Sequence, residues 1–250
     1  FNKVCVLGPF NSGTNAIMRE LPRFFTATII NKHRADSPAW WKHGIQKSPA
    51  KKVPDDILFI CMVRDPGYWI QSLARDPKDG TFNEFFPVRQ FFNRGSGKAY
   101  WQPQEPRSPF QLFEALEFDG KTYTTGALSV WEETVRSYFD RKALPREQVA
   151  VLRYEDYVFR FEEAMRSLAA CGLRLKPGHP PFEALTETAK DHTHPKAARR
   201  DLGTTKQDLS DPSKRYANRT KNEVARMEAM DPELLHLLGY EEDAVQQWLA

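Results

Sequence analysis

The chain has 250 residues, of which 40% are hydrophobic and 28% are charged, and its formal net charge is +3. This composition excludes a disordered chain, and no apolar stretch reaches the ~18 residues that a membrane span needs. The length fits a single domain over 1–250, because two domains would each be short of strands. A charge this small suits an anionic ligand but does not indicate a nucleic-acid surface, so we expect no nucleic-acid partner.

The first predicted strand ends at Gly8 and is followed by a small polar loop and a segment with helical spacing. This order is typical of nucleotide-binding α/β proteins, because loop amides and a helix N-terminus together hold a phosphate. A P-loop NTPase also needs Lys and then a hydroxyl directly after G-x-x-x-x-G. Thr14 and Asn15 stand at those two positions. We therefore expect the loop to hold a phosphate and to be poorly equipped to hydrolyse ATP.

Further strands and helices alternate along the chain. A continuous apolar run over 57–63 predicts a strand buried on both faces, as in a parallel sheet covered by helices. The remaining predicted elements are a strand over 149–152 and helices over 67–74, 128–139 and 161–170. Asp156 is expected to cap the helix that follows the 149–152 strand. The pattern predicts an α/β fold of three layers, with a central, mainly parallel sheet and a P-loop-like nucleotide-binding core.

Two segments depart from this alternation. Residues 81–110 are rich in Phe, Pro and Gly, and we predict that 81–125 forms a loop or lid on the acceptor side of the site. Residues 176–215 are predicted to be a basic loop region, and His192 and His194 within it are interpreted as solvated rather than as metal ligands. The chain then returns to helix from Asp231 to a cap at Gly239 and again over 241–249.

Three cysteines give no even disulfide framework. Cys5 and Cys61 fall in predicted buried strands, and we interpret all three, including Cys171, as structural thiols. This usage favours a reducing compartment and therefore the cytoplasm. The alternative is the Golgi lumen, if an N-terminal anchor has been removed.

Arg64 and Ser72 form a second candidate phosphate site. Arg64 follows the predicted 57–63 strand, and Ser72 lies eight residues later on the next helix. Ligands of open α/β sheets bind at the carboxyl ends of the strands, where this guanidinium and hydroxyl could grip a phosphate together. The alternative is a surface ion pair of Arg64 with Asp65 and a plain helical Ser72.

Four motifs in order resemble the sulfotransferases that use PAPS, 3′-phosphoadenosine 5′-phosphosulfate. They are the Ser-Gly-Thr loop, the Arg/Ser pair, Leu-Arg-Tyr-Glu-Asp at 152–156 and Leu-Gly-Tyr at 238–240. The resemblance implies that the first loop binds the 5′-phosphosulfate and that the Arg/Ser pair binds the 3′-phosphate. The loop residues carried over are Asn11, Ser12, Gly13, Thr14 and Asn15. Asn11 departs from the pattern, since the cytosolic branch usually has Lys there.

The same resemblance implies the catalytic residues. His43 would be the general base, and its unperturbed pKa of ~6.5 suits that role near neutrality. Lys42 would supply the positive charge that Asn11 lacks. Lys214, Arg215 and Tyr216 would form the basic segment over the 3′-phosphate. The reaction would be direct in-line sulfuryl transfer without a metal.

The acceptor would be a hydroxyl or an amine on a small molecule or a glycan, and the sequence does not choose between them. Two other functions stay open. One is a small-molecule or nucleotide kinase on the same scaffold, which the missing Lys and hydroxyl of the loop disfavour. The other is a non-catalytic nucleotide-binding module, which Asn11 in place of Lys favours. The oligomeric state is also open.

Overall fold

A computed structural model describes residues 1–32, 40–49, 52–74, 112–113, 116–118, 121–189, 200–217 and 219–240. The strands are β1 (Lys3–Leu7), β2 (Thr28–Ile29), β3 (Ile57–Val63), β4 (Leu116–Phe118), β5 (Lys121–Tyr123) and β6 (Val149–Arg153). The helices are α1 (Thr14–Phe24), α2 (Pro66–Ala74), α3 (Ala127–Ser137), α4 (Tyr154–Phe159), α5 (Phe161–Ala170), α6 (Leu202–Leu209), α7 (Lys221–Glu228) and α8 (Pro232–Leu238). Short 3₁₀ turns lie at Arg146–Gln148 and Pro212–Lys214.

Four strands form a parallel sheet in the order β2-β1-β3-β6. All seven residues of β3 are buried, as its unbroken apolar run predicts for a strand with neighbours on both edges and covered faces. β6 instead alternates buried and half-buried residues, as suits a strand on the edge of the described sheet. The predicted α/β class with a mainly parallel sheet flanked by helices is confirmed.

The helices cover the sheet through apolar residues at helical spacing. α1 buries Ile17, Leu21 and Phe24, which lie on one face. The helix predicted over 161–170 is confirmed, and the helix predicted over 128–139 begins one residue earlier and ends at Ser137. α8 has the predicted caps, because Asp231 accepts a hydrogen bond from Leu234 N and Gly239 closes it with φ 65°. The helix predicted over 241–249 lies outside the described residues.

The prediction that Asp156 caps a helix is wrong. Asp156 lies inside α4, which already begins at Tyr154, and its carboxylate pairs with Arg153 at 2.7 Å. The following helix, α5, has Arg160 at its N-cap position, without a side-chain cap. The polar residues after β6 therefore begin a short helix of their own, α4. The Asp156 carboxylate lies within that helix, too early in the chain to cap α5.

The structure describes regular elements within both of the segments that depart from the alternation. Within 81–125, β4 and β5 form an antiparallel hairpin, while residues 81–111 lie outside the described part. Within 176–215, residues 176–189 form a loop as predicted, whereas 202–209 form α6 and Pro212–Lys214 form a 3₁₀ turn; His192 and His194 are not among the described residues.

Cys5 and Cys61 are buried in β1 and β3, as predicted, whereas Cys171 is exposed and is not a core residue. Among the described helices, none combines the length and the apolar character needed to cross a membrane.

Candidate functional site

The candidate site lies where β1 and β3 end side by side. After β1 the chain forms β2 on one side of β1, and it then crosses over to form β3 on the other side. In open α/β sheets a crevice forms at the carboxyl ends of strands where the strand order switches in this way. The loop after β1 and Arg64 after β3 both emerge there. The predicted convergence of these two segments is present.

The loop after β1 has a tightly defined backbone. Asn11 and Gly13 both have positive φ values, 57° and 93°. Ser12 is fully buried, and its hydroxyl donates to Pro9 O at 2.7 Å. The first helical bond of α1 runs from Ile17 N to Gly13 O, so the N–H groups of the first turn have no acceptor within the helix. An anion at this loop would therefore meet backbone amides rather than the Ser12 hydroxyl.

Arg64 is buried against this loop. Its side chain is only 6% exposed, and Nη1 donates to Asn11 O at 3.2 Å. The guanidinium lies over the Tyr154 ring, 4.7 Å from its centroid. Its Nε has no hydrogen-bond partner within the described residues. The alternative of a surface ion pair with Asp65 is wrong, because Arg64 is buried and Asp65 pairs with another arginine.

Ser72 is brought to the same place. It is half-buried on α2, and its carbonyl oxygen accepts a hydrogen bond from Asn11 Nδ2 at 3.4 Å. The side chain of Asn11 therefore ties the loop to α2, while its carbonyl oxygen contacts Arg64. The structure thus places Asn11 between Arg64 and the Ser72 main chain, and the role that the sequence predicts for the Ser72 hydroxyl stays a prediction.

The Lys42 side chain reaches the start of α1 from the segment before β3. Its Nζ donates to Asn15 Oδ1 at 2.8 Å, so its partner is a neutral amide rather than a carboxylate. Burial lowers the pKa of Lys42 below its usual value. A cation next to the first turn of α1 adds positive potential where the free helix amides already favour an anion.

His43 contacts the beginning of the same loop and is almost completely buried. Its Nδ1 is 2.8 Å from Gly8 O, which fixes this nitrogen as the donor and leaves the lone pair on Nε2. The ring stacks on Phe10, with centroids 3.9 Å apart. Burial and the nearby charge of Lys42 lower the pKa of His43 to about 3. The prediction of an unperturbed pKa near 6.5 is therefore wrong.

The cations of the predicted 214–216 segment already have acidic partners. Arg215 is buried and pairs with Asp65 at 2.8 Å, and Lys214 Nζ donates to Asp208 at 2.6 Å. Tyr216 is half-buried beneath the Arg215 guanidinium, 5.3 Å from its ring centroid. The segment lies close to Arg64, because Arg215 packs against Asp65, but its charges are balanced by carboxylates.

Sequence reasoning missed two residues of this site. Tyr154 stacks under Arg64 and lies against Gly13, and its position directly after β6 is a signal that could have found it. Arg219 Nη2 donates to Gln71 Oε1 at 3.4 Å, next to Ser72 on α2. Arg219 Nε and Nη1 are buried without a hydrogen-bond partner among the described residues, and burial lowers the pKa of Arg219. No spacing in the sequence points to Arg219.

Comparison of the chain with protein-family models, with curated proteins and with solved structures found no match. Among the residues that the structure describes, no cluster of three or more His, Cys, Asp or Glu side chains could hold a metal ion. The structure defines an α/β protein in which Arg64 and the Lys42 side chain contact the loop after β1 and the start of α1, and in which Arg219 contacts α2.

Proposed function

We propose that this protein is a sulfotransferase that moves a sulfuryl group from PAPS to a hydroxyl or an amine. The observation that carries the proposal is the buried Arg64 guanidinium, which contacts Asn11 O and keeps an unpartnered Nε beside the loop. A buried, unpartnered guanidinium donor is costly unless an anion satisfies it, and a phosphate suits its fork. A P-loop-like core that lacks the Lys and hydroxyl for Mg²⁺·ATP would then hold two separate phosphates.

The loop would hold the 5′-phosphosulfate. The amides of the first turn of α1 supply donors, and the helix dipole and the Lys42 ammonium supply positive charge. Lys42 reaches the helix from the segment before β3, so it could compensate for the absence of Lys at position 11. Asn15 would orient the Lys42 ammonium, because its Oδ1 accepts from that group.

The 3′-phosphate would lie at Arg64 and Ser72. Arg219 extends this cationic patch, since it rests on Gln71 and carries two unpartnered donors. PAPS has a phosphate at this position and ATP does not, so Arg64 would make the protein selective for the bisphosphate. Lys214 and Arg215 would support the patch from the side rather than contact the ligand, because Asp208 and Asp65 pair with them.

PAPS would supply an activated sulfuryl group whose leaving group is the 5′-phosphate of the bisphosphate product. The acceptor oxygen or nitrogen forms a bond to sulfur while the bond from sulfur to the bridging oxygen breaks, and the acceptor proton passes to a base. His43 is the candidate base, and its Nδ1 contact with Gly8 O places the lone pair on Nε2. Lys42 and the loop amides would stabilise the negative charge that grows on the leaving phosphate. The acceptor stays open between a small molecule and a glycan.

A non-catalytic nucleotide-binding module is the second candidate. Burial that keeps the pKa of His43 near 3 makes the imidazole a weak base, and this observation favours binding without turnover. The two functions share the same nucleotide site. They differ in turnover: a sulfotransferase transfers the sulfuryl group and loses that activity in His43→Ala while it still binds the nucleotide, whereas a binding module binds the nucleotide without turnover in the wild type as well.

The proposal is tested by thermal unfolding with two ligands at matched concentration. The first is the product 3′,5′-bisphosphoadenosine with EDTA, and the second is ATP with Mg²⁺. A ligand at 100 times its Kd adds ~2.7 kcal/mol, which is a readily measured shift. Stabilisation by the bisphosphate alone supports the sulfotransferase site. Stabilisation by Mg²⁺·ATP alone would replace it with the kinase function, in which the loop binds a triphosphate.

A further inference from the structure

Four buried polar residues, of which one directly follows Arg64 in the chain, form a closed ring of hydrogen bonds, which we call the polar ring. Glu155 Oε1 accepts from Asp65 N at 3.1 Å, and the Asp65 carboxylate accepts from Arg215 Nε at 3.2 Å. Arg215 Nη2 donates to Tyr240 O at 3.2 Å, and Tyr240 OH donates back to Glu155 Oε2 at 2.8 Å. The ring therefore joins the turn after β3, the start of α4, the residue after the Pro212–Lys214 turn and the second residue after α8.

The ring holds the segment that carries Arg64. Asp65 follows Arg64 directly, and its carboxylate also caps α2 by accepting from Gly67 N and Tyr68 N. Glu155 fixes the peptide between Arg64 and Asp65, because it accepts from the amide of that peptide. A change in the charge of Glu155 therefore changes the hydrogen bond that holds the Arg64–Asp65 peptide, from which the Arg64 side chain projects.

Glu155 is the residue of the polar ring whose ionised form is most easily protonated. It is 1% exposed, and its carboxylate faces the buried negative charge of Asp65. Burial and Asp65 raise the pKa of Glu155 to about 7, while Arg64 and the Tyr240 hydrogen bond oppose that rise. The charged or titratable groups that face the Glu155 carboxylate come from four elements: Arg64 and Asp65 after β3, Tyr68 on α2, Arg153 at the end of β6 and Tyr240 after α8. Arg215 acts on it indirectly, through its contacts with Asp65 and Tyr240.

We propose that Glu155 is a positioning residue of the site and that binding of a phosphate at Arg64 draws a proton onto the Glu155 carboxylate. The proposal rests on the proposed binding of a nucleotide phosphate at Arg64. A phosphate neutralises the guanidinium charge that stabilises ionised Glu155 and adds negative charge nearby, so the complex favours the protonated carboxyl. By linkage, protonation of Glu155 strengthens phosphate binding to the same extent.

The test is titration calorimetry with 3′,5′-bisphosphoadenosine in two buffers of different ionisation enthalpy, which gives the number of protons taken up. The proteins compared are the wild type, Glu155→Gln and the matched control Glu162→Gln, since Glu162 is exposed on α5. At about pH 7.5 we expect the wild type and Glu162→Gln to take up a few tenths of a proton more than Glu155→Gln. Protons that the ligand's own phosphates exchange are common to all three proteins and cancel in this difference.

A second variant, Tyr240→Phe, keeps Glu155 and removes the hydrogen bond that opposes its protonation. We expect its proton uptake to peak at a higher pH than that of the wild type. Equal uptake in the wild type and Glu155→Gln, with binding intact, would overturn the coupling alone. The absence of any binding heat in the wild type would overturn the proposed function and the coupling with it.

Discussion

The Tyr154 ring lies so close to Gly13 that a β-carbon at position 13 would overlap it, 2.7 Å from Cε2. Gly13 also has φ 93°, in the left-handed region that side chains avoid. Tyr154 in turn carries Arg64 on its ring. The close approach of the loop to this ring therefore places the Arg64 guanidinium next to the loop backbone.

We expect Gly13→Ala to cost more stability than backbone strain alone explains. The left-handed conformation costs ~1–2 kcal/mol for a residue with a β-carbon, and displacement of Tyr154 adds to that. The matched control is Gly178→Ala, because Gly178 has φ 65° and a β-carbon there would meet nothing within 4 Å. Urea unfolding of both variants measures the difference. Equal losses in the two variants would contradict the contact between Gly13 and Tyr154.

We expect the folded protein to lose stability in acid because of His43. Its pKa falls from an ordinary value of 6.5 to about 3 in the folded protein, so the unfolded chain binds more protons between those values. The contribution of His43 is fully present above about pH 6.5 and is lost as the pH falls toward 3. We expect His43→Asn, which keeps a donor for Gly8 O, to lose less stability than the wild type between about pH 7 and 5.

The measurement for His43 is the free energy of unfolding at both pH values. His236→Asn is the control, since His236 is exposed on α8. A control variant that changes the acid sensitivity as much as His43→Asn would contradict the assignment to His43. Because the pKa of His43 is about 3, the proposed sulfuryl transfer should show no inflection from His43 near pH 6.5 in its pH–rate profile.

Much of the fold and part of the site follow from local pattern. The bounds of β3 agree with the prediction residue for residue, because an apolar run without alternation is specific for a strand covered on both faces. Asn11 and Arg64 meet because the segments after neighbouring parallel strands share one edge of the sheet.

The environment of individual side chains is not predictable from local pattern. Asp65 pairs with Arg215 across 150 positions of the chain, and no spacing signals such a contact. Nothing near position 43 in the sequence signals a perturbed histidine, because its burial comes from packing on Phe10 and Gly8, which only the folded chain brings together. Tertiary burial therefore decides pKa values that the sequence alone predicts to be ordinary.

Glu155 predicts the opposite pH dependence from His43. Its pKa is about 7 in the folded protein against 4.5 unfolded, so the folded state holds the proton more tightly. Stability from this group is fully present below about pH 4.5 and falls by up to about 3 kcal/mol as the pH rises to 7. We expect Glu155→Gln to lack this fall, since Gln keeps an acceptor for Asp65 N. The stability difference between wild type and variant, measured at about pH 5 and pH 8, checks the sign.

Lys42 is expected to strengthen binding at the loop. Replacing it with Ala removes the cation beside the first turn of α1 and frees Asn15 Oδ1. We expect bisphosphate binding to weaken by about ten- to a hundredfold, because a charged hydrogen bond contributes ~1.5–3 kcal/mol. Lys52→Ala is the control, since Lys52 is exposed. Calorimetry of the two variants makes the comparison, and equal affinities would rule out a role for Lys42 in binding.

The central claim is that Arg64 recognises the phosphate that distinguishes PAPS from ATP. It is tested most directly by the Kd values of 3′,5′-bisphosphoadenosine and of adenosine 5′-monophosphate for the wild type, for Arg64→Ala and for Arg166→Ala, whose guanidinium is exposed on α5. We expect the 3′-phosphate to improve binding by ~10²-fold in the wild type and in Arg166→Ala. In Arg64→Ala that preference should nearly vanish. A preference that persists undiminished in Arg64→Ala would show that the 3′-phosphate binds elsewhere and would contradict the account.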